Sequence, residues 1–464
     1  MQSYRISRVR PVIGAWRDVL VDVTVTGGLI AAISPSTGRA DGDLDADGSE
    51  LWPGLWDHHV HFSTHALIGQ ALPLSPDASM AEVLATVRHA ITPQTTHLIG
   101  FGFRSATWPD PPSAPALDEV TALPVALMSR DLHSLWCNTT GLALAGQPRH
   151  PTGFLVEEEA FAAIRHIMAT RPDLVDEAVR TAEQEAAARG IVGIVDLEMD
   201  WAVSAWRRRA GQRTPALRVE AATYPEHLDD LLALGLPHGH EVAPGVRIGA
   251  LKIIADGAMG SRTAHCTDPY PTPLPGLPHG RVNLAPEDLQ ELLARAHRAG
   301  LHAAVHAIGD AACHLVLNAF EVTGARGSVE HAQCVRHTDL PRFAALGVAA
   351  SIQPQHQLDD AGVVERIWPT ALNRAYPMLD LLRAGAALRL GSDAPVAPLD
   401  PWRTLEAACR RPFRTDQALP LEAALRASSR TDLEVGQTAD LVIAARPGEV
   451  RWTMLGGRIT HHSN

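Results

Sequence analysis

Residues 287–310 read EDLQELLARAHRAGLHAAVHAIGD. The first half repeats apolar residues at helical spacing and stops at Gly300, the residue type that ends helices in a left-handed cap. The second half is a short run of Ala, Val and Ile, which reads as a strand buried on both faces and hence parallel. The same order recurs along the chain. DEAVRTAEQEAAARG (176–190) leads into IVGIVDL, HTDLPRFAALG (337–347) into VAASIQP, and MLDLLRAG (378–385) into AALRLGSD. Helix alternating with buried strand over most of a chain means an α/β fold.

Strand-like runs of this kind are GLWDHHVH, IVGIVDL, LRVEAAT, ALKIIAD, HAAVHAI, GSVEHAQ, VAASIQP and ALRLGSD. Eight is the number that closes a (β/α)8 TIM barrel. Two further runs, HLIGFGF and LPVALMSR, fall between the first and second of these. The reading preferred here makes residues 64–175 an insertion over the active site; the alternative makes those two runs barrel strands. Residues 1–52 and 431–464 differ from the middle, with short β-like runs between turn residues. Neither end can build a core alone, so both are expected to join in a small β-sandwich domain flanking a barrel of residues 53–430.

Composition narrows the function. The 464 residues carry a formal net charge of -12, which disfavours a phosphate-backbone partner and hence nucleic acid. No stretch approaches the roughly 20 apolar residues that cross a bilayer, and the N-terminal residues lack the apolar run of a signal peptide. Five cysteines, none in a C-x-x-C arrangement, suit a reduced cytoplasm and argue against a Cys-based zinc site. The 23 histidines are many for this length, and histidine is the commonest metal ligand.

In a TIM barrel, functional residues gather at the carboxyl ends of the strands. The first strand ends in His59 and His61, which share a face because side chains alternate along a strand. An isolated H-x-H is more often a satisfied polar pair than a ligand clip. Here the fourth strand adds Lys252, the fifth His306, the sixth His331 and the eighth Asp393. Four histidines on three strands with a carboxylate on another call for a metal. Imidazole with carboxylate suits Zn²⁺, one or two ions, with other divalent transition metals as alternatives.

The ordered motifs PGLWDHHVHF, LKIIADGAMGSRTA, VHAIGDAA, VEHAQ, ASIQPQH and LGSDAPVAPLDPW resemble those of the amidohydrolase superfamily, and more narrowly its YtcJ-like branch. SRDLHSLWCNTTGLALAG and HPTGFLVEEEA resemble that branch's insertion. The resemblance implies that His59 and His61 hold one metal, that His306 and His331 hold a second, and that Lys252, carboxylated on its amine, bridges the two. It implies that Asp393 binds metal and takes the proton of a metal-activated water. The reaction implied is hydrolysis of a C–N bond in a small amide, formamide or carbamate. A hydrolytic deaminase of a heterocycle is the nearer alternative, against which Lys252 counts. A non-catalytic assembly protein on the same scaffold is the remoter one, since such proteins lose ligands. Arg262, His133 and Gln353 are weaker candidates for substrate contact. The expected partner is a small molecule, with no nucleic acid and no membrane; a homodimer is compatible with the sequence. His58 should point away from its neighbours on the pleat, towards the helices or a supporting shell.

Overall fold

The structure, a computed structural model, describes residues 3–105, 108–130, 134–156, 158–362 and 364–463. It forms two compact units, residues 1–62 with 183–464, and Ser63–Ala182. The larger unit holds eight parallel strands: β1 Leu55–Val60, β2 Ile191–Asp196, β3 Arg218–Thr223, β4 Val246–Ile254, β5 Ala303–Ala307, β6 Gly327–His331, β7 Ala349–Ile352 and β8 Leu388–Leu390. They pair in that order, which is the TIM barrel expected. Every residue of β1, β2, β6 and β7 is buried, as strands covered on both faces must be. Gly347 caps its helix at φ 65°, a backbone conformation that costs a residue with a Cβ and costs glycine little.

The barrel closes where β1 and β8 end. The Asp393 amide donates to the His59 carbonyl at 2.7 Å, and the His61 amide to the Ala394 carbonyl at 2.9 Å. The Asp57 carboxylate reinforces this seam by accepting from the amides of Ser392 and His59, both at 3.0 Å. Gly391 lies against it so closely that a Cβ would stand 2.6 Å from the His59 nitrogen.

The two ends of the chain interleave in one path of strands. Leu441–Ala444 pairs antiparallel with Glu50–Pro53, which pairs with Ser3–Pro11. This sheet belongs to the same compact unit as the barrel. Trp52 meets Trp402 edge to face at 5.0 Å, and Arg218 of β3 pairs with Asp440 at 2.9 Å. A sheet of this size has too little interior of its own, and it shares the barrel's.

The second unit has a five-stranded sheet, ordered Phe154–Val156, Ser134–Cys137, Val125–Ser129, Leu98–Phe103 and Leu72–Pro73. The two surplus strand runs thus lie here and not in the barrel. The unit extends past residue 175 because helix Pro172–Ala188 crosses its boundary. Among the described residues, no helix is long and apolar enough to cross a membrane.

Candidate metal centre

The seam between β1 and β8 places His59, His61 and Asp393 together. Asp393 Oδ1 is 3.3 Å from His59 Nε2 and 3.4 Å from His61 Nε2. The other carboxylate oxygen is 3.6 Å from His356 Nε2. The His331 ring stands 4.8 Å from that of His59, centroid to centroid, and 4.5 Å from that of His306. Two groups therefore converge on one carboxylate: His59, His61 and Asp393, and His331, His356 and Asp393. Asp393 and His331 both hold positive φ, 60° and 72°. That is a strained conformation for residues with a Cβ, of the kind that collects at functional sites.

The second group differs from expectation in one member. His306 neighbours His331, but its Nε2 faces the Gly257 carbonyl at 3.2 Å and Asp256 Oδ1 at 3.5 Å. His356, on the helical turn His356–Asp360 after β7, brings its ring nitrogen to Asp393 instead. Lys252 is 2% exposed, and its Nζ has no hydrogen-bond partner.

Burial sets the charges. It lowers the pKa of His59 and of Lys252, drives that of His306 down to about 3 with the Lys252 charge assisting, and holds His331 well below the usual imidazole range. These rings are neutral and keep a lone pair for a ligand. Burial would raise Asp393, but the surrounding imidazoles outweigh it and keep this carboxyl well below its ordinary value. Glu330 shares that balance: burial raises it, while its bonds from His59 and Ser328 bring it to about 2. Its Oε2 lies 2.6 Å from His59 Nδ1, which fixes the ring with Nε2 facing Asp393. Carboxylate–histidine pairs of this kind orient metal ligands.

Clustered imidazoles, one shared carboxylate and buried atoms without partners (Lys252 Nζ, His331 Nδ1, His356 Nε2) fit a divalent cation. They line a cavity of about 360 Å³, at the small end of ligand sites. Its wall carries Gln333 and Asp360, whose carboxylate accepts from the Tyr376 hydroxyl, and an apolar part made by Tyr224, Ile254, Met259, Ile308, Met199 and Val396.

The weaker candidates fare differently. The Arg262 guanidinium is taken by the Thr272 carbonyl at 2.8 Å, and Arg262 is not on the cavity wall. The same holds of Gln353, which is 2% exposed and has both amide atoms unpaired. His133 lies outside the described residues. His58 is bonded to the barrel and not to its helices. Its Nδ1 is 3.2 Å from the Leu390 carbonyl, and its Nε2 accepts from Arg430 at 3.4 Å, whose guanidinium also pairs with Glu220 of β3. Sequence reasoning placed His356 after the seventh strand as a pocket-lining residue and not as a ligand, and it missed Glu330 and also Gln333, whose amide nitrogen is 3.3 Å from His356 Nδ1. For the first, the signal was present in the final residue of ASIQPQH.

A TIM barrel whose strand ends gather histidines around a carboxylate has the donor set of a divalent-cation site. The model of the amidohydrolase family matches residues 44–460, and the chain belongs to that family. It is 28% identical to the putative amidohydrolase YtcJ of Bacillus subtilis (strain 168), over 82% of this chain and 76% of that one. It is 26% identical to the N-substituted formamide deformylase of Arthrobacter pascens, over 91% and 90%. A metal-dependent hydrolase from Pyrococcus horikoshii OT3 shares the fold, with TM-score 0.84, 24% identity and 100% of both chains covered.

Proposed function

We propose that this amidohydrolase cleaves the C–N bond of a small uncharged amide, formamide or carbamate, adding water to give the acid and the amine. The carrying observation is Asp393, an ionised and buried carboxylate with His59, His61 and His356 within 3.6 Å. His59, His61 and Asp393 would hold one ion, zinc by donor type, and His331 with His356 and Asp393 a second. A divalent cation there supplies a Lewis acid for the carbonyl oxygen and lowers the pKa of water towards about 7.

The chain's own groups do the rest. Asp393 takes the proton of the attacking water and returns it to the departing nitrogen. Glu330 keeps the His59 ring in one tautomer. Lys252 is buried with a free Nζ, and burial lowers its pKa, which favours the amine form that carboxylation by CO₂ would require; the product would be an anion able to ligate a cation. The formamide deformylase relative supports the reading, as do the apolar residues on part of the cavity wall. The five cysteines, all free, favour a reducing cytoplasmic setting.

Metal analysis of the purified protein, with a panel of N-formyl and N-acyl amines, tests this. Bound zinc and turnover are expected, and Asp393→Asn should cut kcat by about 10²- to 10⁴-fold with the melting temperature little changed. Protein that stays metal-free when grown with ample zinc, or full activity in that variant, refutes the assignment.

A further inference from the structure

The cavity sorts its lining by polarity. The ionisable groups of the candidate metal centre stand together around Asp393, and the one further carboxylate among the lining residues, Asp360, accepts from the Tyr376 hydroxyl. Opposite in character, Met199, Tyr224, Ile254, Met259, Ile308 and Val396 carry no charge. Tyr224 adds no free hydroxyl, because its OH donates to the Leu197 carbonyl at 3.1 Å. Arg262, a sequence candidate for substrate contact, donates to the Thr272 carbonyl instead and is not among the lining residues. Two of the apolar residues stay open to solvent, Met199 at 47% and Val396 at 64%, so they mark the cavity's mouth. Large apolar side chains left exposed beside a binding cavity gain free energy when a ligand covers them.

From this layout we infer that Met199 and Val396 are specificity-determining residues which bind an apolar alkyl or aryl substituent of the substrate, leading outward from the scissile bond. The inference rests on the amide-hydrolase reading and names the kind of amide. Covering apolar surface is worth about 0.8 kcal/mol per methylene, or roughly 4-fold in affinity. A half-open mouth delivers part of that, so each added methylene should bring about 2- to 4-fold.

The experiment uses two series, N-alkylformamides from methyl to hexyl and N-methylalkanamides of matching length. The first lengthens the amine side and the second the acyl side. Dissociation constants are measured calorimetrically on Asp393→Asn protein of verified metal content, whose turnover is slowed by about 10²- to 10⁴-fold, and kcat/KM on the wild type. The expected result is a steady gain with length in one series, which also identifies the side that faces the mouth. Near-isosteric polar replacement, Met199→Gln with Val396→Thr, should flatten the gain to under about 1.5-fold per methylene. An equal gain in that variant, or no gain in either series, overturns the inference. A gain in binding with no wild-type turnover of any amide upholds the apolar mouth and sinks the amide-hydrolase reading. Each single replacement, with its melting temperature, serves where the double variant does not fold.

Discussion

At the residue scale, the site depends on pairs in which one member acts and the other aims it. His59 is the clearest, with Glu330 Oε2 at 2.6 Å from its Nδ1. Replacing that carboxylate by an amide keeps the shape and removes the charge that holds the ring's tautomer. Glu330→Gln should weaken metal affinity by about 10- to 100-fold, read by competition with a chromophoric chelator; unchanged affinity would show that Glu330 only fills space. His59, His61 and Asp393 were legible because they end strands, where position in a barrel already implies a role. His356 was legible only as a residue near the pocket and not as a ligand, because it follows β7 on a helical turn, and no strand alternation says which way such a residue faces. Glu330 was hidden for another reason. A glutamate inside a strand usually makes an ion pair, and nothing in its spacing from His59 in the sequence shows that β1 and β6 bring the two together.

At the scale of elements, the seam between β1 and β8 is where fold and chemistry meet. Gly391→Ala would place a methyl group 2.6 Å from the His59 nitrogen and 2.8 Å from its Cβ. Forcing that contact costs about 1–3 kcal/mol and displaces His59 with it. The variant should lose both melting temperature and metal content; losing stability alone would separate the seam from the centre. The second unit is held by a different device. Asn138, fully buried, accepts from the amides of Val125 and Gly141 and donates to the carbonyls of Thr121 and Leu123. Asn138→Leu leaves those groups unpaired and should destabilise this unit by about 2–4 kcal/mol, seen as early proteolysis within 63–182. The eight barrel strands were readable because burial on both faces writes a continuous apolar run. The same rule marked the strands of the second unit as strands without saying which sheet they join, since period alone carries no partner.

At the scale of the whole molecule, buried neutral histidines set the response to acid. Burial, with Arg430 and Arg389 nearby, lowers His58 to about 3. Burial, with the stacked ring of His238 at 4.0 Å, lowers His302 to about 4. In the unfolded chain both titrate near 6.5. As pH falls below that value the unfolded state gains protons which the folded state refuses, so stability drops, by at most about 1.4 kcal/mol per pH unit for each residue. Urea melts at pH 7, 5.5 and 4.5 should show this decline, and His302→Gln, which does not titrate, should make it shallower. An unaltered slope in that variant would mean that His302 is protonated in the folded state.

The pairing of sequence-distant segments also orders events on the ribosome. Ser63–Ala182 has its whole sheet within one continuous stretch, so it can form while the rest of the chain is still being made. Glu50–Pro53 must wait for Leu441–Ala444, and β1 for β8. Early-made strands therefore stand with unpaired edges through most of synthesis. His59 and His61 emerge early, yet Asp393 reaches them only when nearly the whole polypeptide has been translated. An ion captured by the nascent chain would lack that carboxylate, so a cation could meet the complete candidate centre only towards the end of biosynthesis.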